Sequence, residues 1–201
     1  MTSIYGDIIT GIDVEKAAAD TIQLWLPDYL AEVGAKYGFA RGTLPVFRSY
    51  VPALTIDKFE EDQTPSCVIV APGTLDVPER RQGAANVRWS LGIGCVVSGK
   101  DRDNTRLLAV IYAAAVRTML LQKSSLGGFA EGVNWISERY DSLPASAEMA
   151  RTLGAGVLQF GVDVNKVSLT SGGPMAPVDP AVAPSAWPVS ETIVLTVTQG
   201  S

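Results

Sequence analysis

Carboxylates supply most of the groups in this chain that could do chemistry. Acids cluster at Glu60-Glu61-Asp62 and again at Asp101 and Asp103. Neighbouring carboxylates can share a proton or hold a hard cation, the basis of acid–base and metal-assisted hydrolysis. Neither cluster carries the rest of such a site. The run Asp101-Arg102-Asp103-Asn104 resembles the opening of a calcium loop, yet Arg106 stands where the loop needs glycine and Tyr112 where it needs a bidentate glutamate. Helix capping explains the run better, because an Asp ahead of an apolar periodic stretch accepts an N–H of the first turn.

The sequence contains no histidine. That removes Ser-His-Asp and Cys-His catalysis and His-ligated metals together. Cys67 and Cys95 sit in apolar runs without CxxC spacing, and read as small buried hydrophobes of a chain that folds in a reducing compartment. The glycines of Gly92-Ile93-Gly94 and Gly154-Ala155-Gly156 have no following helix to present amides to a phosphate, so they are expected to let strands pack closely. On these residues no catalytic, cofactor-binding or metal site is expected, and no cofactor.

A net charge of −5 and a pI near 4.8 argue against a general nucleic-acid binder, which clusters Lys and Arg against phosphates. With 47% hydrophobic and 18% charged residues the chain can bury a sizeable core. It has no run of about 18 consecutive apolar residues. Its first residues, MTSIYGDIITGIDVEK, lack the basic start and apolar segment of a signal peptide. A non-membrane, cytoplasmically made protein is the expectation.

The elements follow from periodicity. Val14, Ala18, Ile22, Trp25, Leu26, Tyr29, Leu30 and Val33 recur at helical steps. Pro27 predicts a kink or a division of this helix, and Gly34 a stop. A second helix, capped by Asp101 or Asp103, is predicted to reach Lys123 with Leu107, Leu108, Ile111, Ala114, Ala115 and Leu121 on its apolar face. Its alanine-rich middle permits close approach to a sheet. Strands are predicted over 53–59, 66–71, 87–98, 133–140, 157–169 and 192–198, with a Gly-Gly turn at Gly127-Gly128 and a polar connection over 142–156.

Two segments stand out as contact candidates. Residues 72–85 (PGTLDVPERRQGAA) read as a long projecting loop, with Arg80 and Arg81 either a solvated basic turn or an interface. Residues 171–188 hold five prolines, which exclude a helix and a central strand and leave an extended arm. Trp25, Trp89 and Trp135 are expected in the core. Trp187, in the arm, is expected to dock on its own body or a neighbour, and the strand after it needs an edge to pair with.

The fold class expected is α+β: a largely antiparallel or mixed sheet with two main helices on one face, plus an extended Pro-rich C-terminal arm. Residues 1–170 form the single domain, 171–190 the arm, and 191–201 a terminal strand and tail.

Carried by segments such as DRDNTRLLAVIYAAAVRTMLLQKSSLGGF followed by VNWISERY, by the order of elements and by the late Pro-rich segment, the chain resembles a tail terminator protein of long-tailed bacteriophages, especially those of actinobacteria. The resemblance spans nearly the whole chain. It implies a non-enzymatic virion protein at the head–tail junction that forms a six-membered ring on the tail tube, stops tube polymerisation and offers a docking surface to the head–neck connector. Implied partners are further copies of itself, the major tail tube protein and the connector or stopper protein, with genomic DNA passing through without specific binding. The Pro-rich arm departs from the compact ends of that family. Alternatives left open are another neck component or tail-tube subunit and, from other classes, a small-molecule-binding module or an enzyme using carboxylates, Lys and Arg.

Overall fold

A computed structural model describes residues 9–51, 65–81, 84–142 and 152–168. In chain order these form α1 (Gly11–Lys36), β1 (Ser49–Val51), β2 (Ser66–Arg81), β3 (Ala84–Gly99), α2 (Arg102–Gln122), a 3-10 turn (Leu126–Gly128), β4 (Gly132–Ser142) and β5 (Thr152–Ser168). The strands make one sheet in the order β1-β2-β3-β5-β4. Only β1 and β2 run parallel. Both helices pack on one face, which gives the α+β class expected. The predicted strand over 53–59, the arm over 171–188 with Trp187, and the terminal strand over 192–198 lie outside the described residues.

Helix α1 begins where Asp13 accepts hydrogen bonds from the Thr10 backbone N–H and the Thr10 hydroxyl, both at 2.8 Å. Those donors favour the carboxylate and hold its pKa below the usual value. Val14, Ala18, Ile22, Leu26, Leu30 and Val33 are buried, the stripe that the spacing predicts. Pro27, however, lies inside one continuous helix. Pro27 and Gln23, whose carbonyl loses its helical donor, are both exposed, so that carbonyl can face water. Nor does Gly34 end the helix. It is buried, and a Cβ there would come within 2.9 Å of Leu44 Cδ1. The left-handed residue after the helix is Gly38, at φ 82°.

Asp101 caps α2 as predicted, accepting the Asn104 N–H at 2.8 Å. Of the predicted face, Ile111 and Ala115 are buried and Leu107, Leu108 and Ala114 pack partly against the core, while the fully buried line is shifted toward smaller residues. Ala109, Ile111, Tyr112, Ala113, Ala115, Val116, Met119 and Leu120 are buried, whereas Leu121 is exposed. The cause is the surface that α2 meets. A Cβ on Gly156 would lie 2.8 Å from both the Ala109 carbonyl oxygen and Ala113 Cβ, and one on Gly154 would lie 2.8 Å from Thr105 Cγ2. Small residues on both sides let helix and sheet touch, so the line through 105, 109 and 113 faces inward and the leucines flank it. By length and mean hydropathy α2 is apolar enough to cross a bilayer, and here that apolar surface packs on the sheet.

Inward-facing Cys67, Ile69, Leu91, Ile93, Cys95, Leu158, Phe160 and Val162 complete the main core. Cys67 and Cys95 are direct cross-strand partners, both free and buried, and burial pushes both thiols up. A buried thiol kept protonated is a poor nucleophile. Thiol labelling by an aromatic disulfide at pH 8 is therefore expected to be at least about a hundredfold slower in the native protein than in denaturant. Equal rates would show that this part of the core is open.

Candidate assembly surfaces

Residues 72–85 are not a loop. Pairing of β2 with β3 continues to Arg81↔Ala84, so the segment is a β-hairpin whose strands reach almost to its turn. Two prolines made it read as loop. Pro72 falls within the register shift between Val70 and Gly73, and Pro78 within that between Asp76 and Glu79. A bulge leaves a residue out of the ladder, so a residue without an N–H costs little there. Likewise, residues 152–156, expected in a polar connection, are the first residues of β5.

The hairpin outruns the sheet's far margin. Strand β4 starts at Gly132, opposite Asp163, whereas β3 stays paired with β5 as far as Ala84↔Ser168. Among the described residues, only β2, β3 and β5 continue beyond Asp163, a three-stranded tongue about 17 Å long. Arg80 and Arg81 occupy its last positions, opposite Ala85 and Ala84. At the base of the tongue, Arg88 grips Asp163 with two hydrogen bonds of 2.6 and 3.2 Å, and Asn134 donates to the same carboxylate at 2.9 Å. The Arg88 stem lies against Gly161, where a Cβ would meet its Cδ at 3.2 Å. This charged clamp ties β3, β5 and the start of β4 together where the tongue begins.

The sheet face away from the helices is also apolar. Val68, Val96 and Ala155 are buried there, with Val51, Val70 and Val157 against them. Gly92 and Gly94 belong to this face and not to the helix seam. Their absent side chains leave the floor of a cleft of about 310 Å³ with Arg139 and Asp141 on its lining. Among the described residues no group of three or more Cys, Asp or Glu is placed to hold a metal ion.

The third surface is the outer margin, β4, whose Trp135 was expected in the core. Trp135, Ile136 and Tyr140 are each between 42% and 49% exposed. Only Trp89 of the three tryptophans expected inside packs partly against the core. Trp25 and Trp135 lie at the surface, each under a cation: Lys123 Nζ is 3.9 Å from the Trp25 ring and the Arg117 guanidinium 5.1 Å from the Trp135 ring. A register shift between Trp135 and Ser137 places Ile136 outside the regular pairing, so Trp135 and Glu138 share the helix side despite their odd spacing. Glu138 is paired with Arg117 and also accepts from the Tyr140 hydroxyl. Burial, followed by that hydrogen bond to Glu138, raises the Tyr140 pKa. The bulge hid this cluster from any reading that counts by twos.

The described residues thus form an α+β domain with three distinctive surface features: the tongue, the open apolar face and the exposed β4 margin. No protein-family model matches the chain, and no curated protein does.

Proposed function

We propose that this chain is a structural assembly protein whose copies join into a closed ring, and that the ring is the terminator of a phage tail tube. The observation that carries the ring is the tongue. A three-stranded extension that leaves the body beyond β4 has its hairpin tip far from its own core and within reach of a neighbour. A contact between tongue and a different surface of the next copy is heterologous, and heterologous contacts close into rings when the rotation allows. The tail-terminator assignment rests on the sequence resemblance. Under it, the faces of the ring meet the tail tube protein and the head–neck connector, and an acidic chain lets DNA pass by like-charge repulsion.

Arg80 and Arg81 stand at the tip of the tongue in a chain of net charge −5, so their natural contact is an acidic patch. Reversing both, with Arg80→Glu and Arg81→Glu, is expected to shift the protein from rings to free subunits by at least about tenfold in the concentration needed for assembly. Native mass spectrometry of the purified protein and electron microscopy of particles labelled on this chain read the outcome. Rings of unchanged stability would remove the tip from the interface. Label anywhere other than the head–tail junction would remove the terminator assignment.

A further inference from the structure

Strand β4 forms one margin of the sheet, and among the described residues no strand pairs with its outer edge, although the Trp135 indole N–H donates to the Ser137 carbonyl at 3.1 Å. Proteins blunt such edges because an unpaired row of N–H and C=O groups recruits another strand. This edge is 11 residues long and exposes Trp135, Ile136 and Tyr140, so it offers both backbone bonds and apolar area. We propose that residues 192–198 of a neighbouring copy add to the outer edge of β4 as a sixth strand. The proposal rests on the ring reading for the presence of a neighbour.

The occupant is chosen by pattern. Residues 192–198 read TIVLTVT, with no charge, proline or glycine, and every residue but Leu195 is β-branched and favours an extended chain. Alternation puts Ile193, Leu195 and Val197 on one side and Thr192, Val194, Thr196 and Thr198 on the other. The β4 edge is divided the same way. Trp135 and Tyr140 lie on the helix side with Glu138, whereas Ser137 bonds Gln159 and Arg139 lines the cleft on the open side. The aliphatic row can cover the two rings while the hydroxyl-bearing row lies beside Ser137 and Arg139.

Tether length chooses the neighbour over the chain's own edge. Strand β5 ends at Ser168, about 17 Å along the sheet from Asp163, which faces the first residue of β4. Between Ser168 and Thr192 lies the segment with five prolines. If extended as Pro-rich spacers are, at about 3.1 Å per residue, residues 171–188 would reach on the order of 55 Å. A stiff tether contributes most when its length matches the span. This one overshoots its own edge and suits passage across a domain about 40 Å wide.

The test uses full-length proteins with one cysteine added to each: Ser137→Cys in one, and Val194→Cys, Thr196→Cys or Thr198→Cys in the others. Cys67 and Cys95 are buried and give no background. Mixed and oxidised, at least one pair is expected to form interchain disulfides about tenfold above a control in which Ile12→Cys replaces Ser137→Cys. Disulfides found only within one chain, when Ser137→Cys is combined with each tail cysteine, or found in no combination, overturn the proposal. Should the cysteine proteins not fold, hydrogen exchange on the unmodified chain decides. The outward amides of β4 should exchange at least about tenfold more slowly than in Leu195→Asp, and equal rates overturn the proposal. Native mass spectrometry of the same samples separates the two readings. Interchain links in an assembly that is not a closed ring sustain the strand exchange and refute the ring, whereas a closed ring without links or protection refutes the exchange alone.

Discussion

Gly156→Val is expected to lower the free energy of unfolding by about 3 kcal/mol or more. The position has no room. A Cβ there lies 2.8 Å from the Ala109 carbonyl oxygen and 2.8 Å from Ala113 Cβ, inside the distance that real carbon atoms keep. The first of these neighbours is helix backbone, which cannot swing aside as a long side chain does. Relief requires α2 to lift from β5, and with it Ile111, Tyr112 and Val116, all buried in the same core. Gly94→Ala is the matched control, since its Cβ would meet Val68 Cβ at 3.4 Å, an ordinary contact on the other face. It should change stability by less than about 1 kcal/mol. Urea unfolding of the three proteins with a common slope reads the difference. A midpoint for Gly156→Val equal to that of Gly94→Ala would show that α2 does not press on the sheet.

The same seam shows how far the sequence could be read. The alanine-rich middle of α2 and the doublet Gly154, Gly156 each signal close approach, and the structure brings them together. Their pairing was not legible, because periodicity ranks leucine above alanine as a core residue while the sheet selects by size. That is why Leu107, Leu108 and Leu121 stood on the expected face although Ala109, Ala113 and Val116 fill it. The tongue was legible as a projection and illegible as structure. Pro72 and Pro78 break a strand pattern by type, and bulges that absorb them depend on the partner strand. At β4, Trp135 was expected inside by residue type, whereas it lies on an exposed margin beside a register shift at Ile136. The pair Arg80-Arg81 could be singled out by type and place, and it stands at the tip of the tongue, whereas Trp135 was expected inside and nothing singled out Tyr140 or Arg117. Their signal is a tryptophan and a tyrosine flanking a lone glutamate, which has meaning only once the strand is known to be an edge.

Arg117→Ala is expected to lower stability by about 2 to 3 kcal/mol and to weaken assembly as well, because its side chain both pairs with Glu138 and overlies Trp135 on the β4 margin. The Glu138 side chain is 7% exposed and is paired with Arg117, which is 31% exposed. Removing the cation leaves a largely buried carboxylate whose remaining hydrogen bond among the described residues comes from the Tyr140 hydroxyl. The partial exposure of Arg117 sets the expected loss below that of a fully buried pair. The Trp135 ring loses its overlying guanidinium too, a contact worth about 0.5 to 1 kcal/mol at a surface. Both losses fall on the strand proposed to receive a neighbour's residues 192–198, so hydrogen exchange along β4 should rise before global unfolding and the assembled fraction should fall with it. The double change Arg117→Met with Glu138→Leu separates the causes. It removes the buried charge along with its partner, and should return stability to within about 1 kcal/mol of the parent. If the double variant is as unstable as Arg117→Ala, the loss comes from packing of the arginine stem and the ion pair contributes little. If it regains stability but not assembly, the cation over Trp135 is itself part of the surface that the neighbour meets.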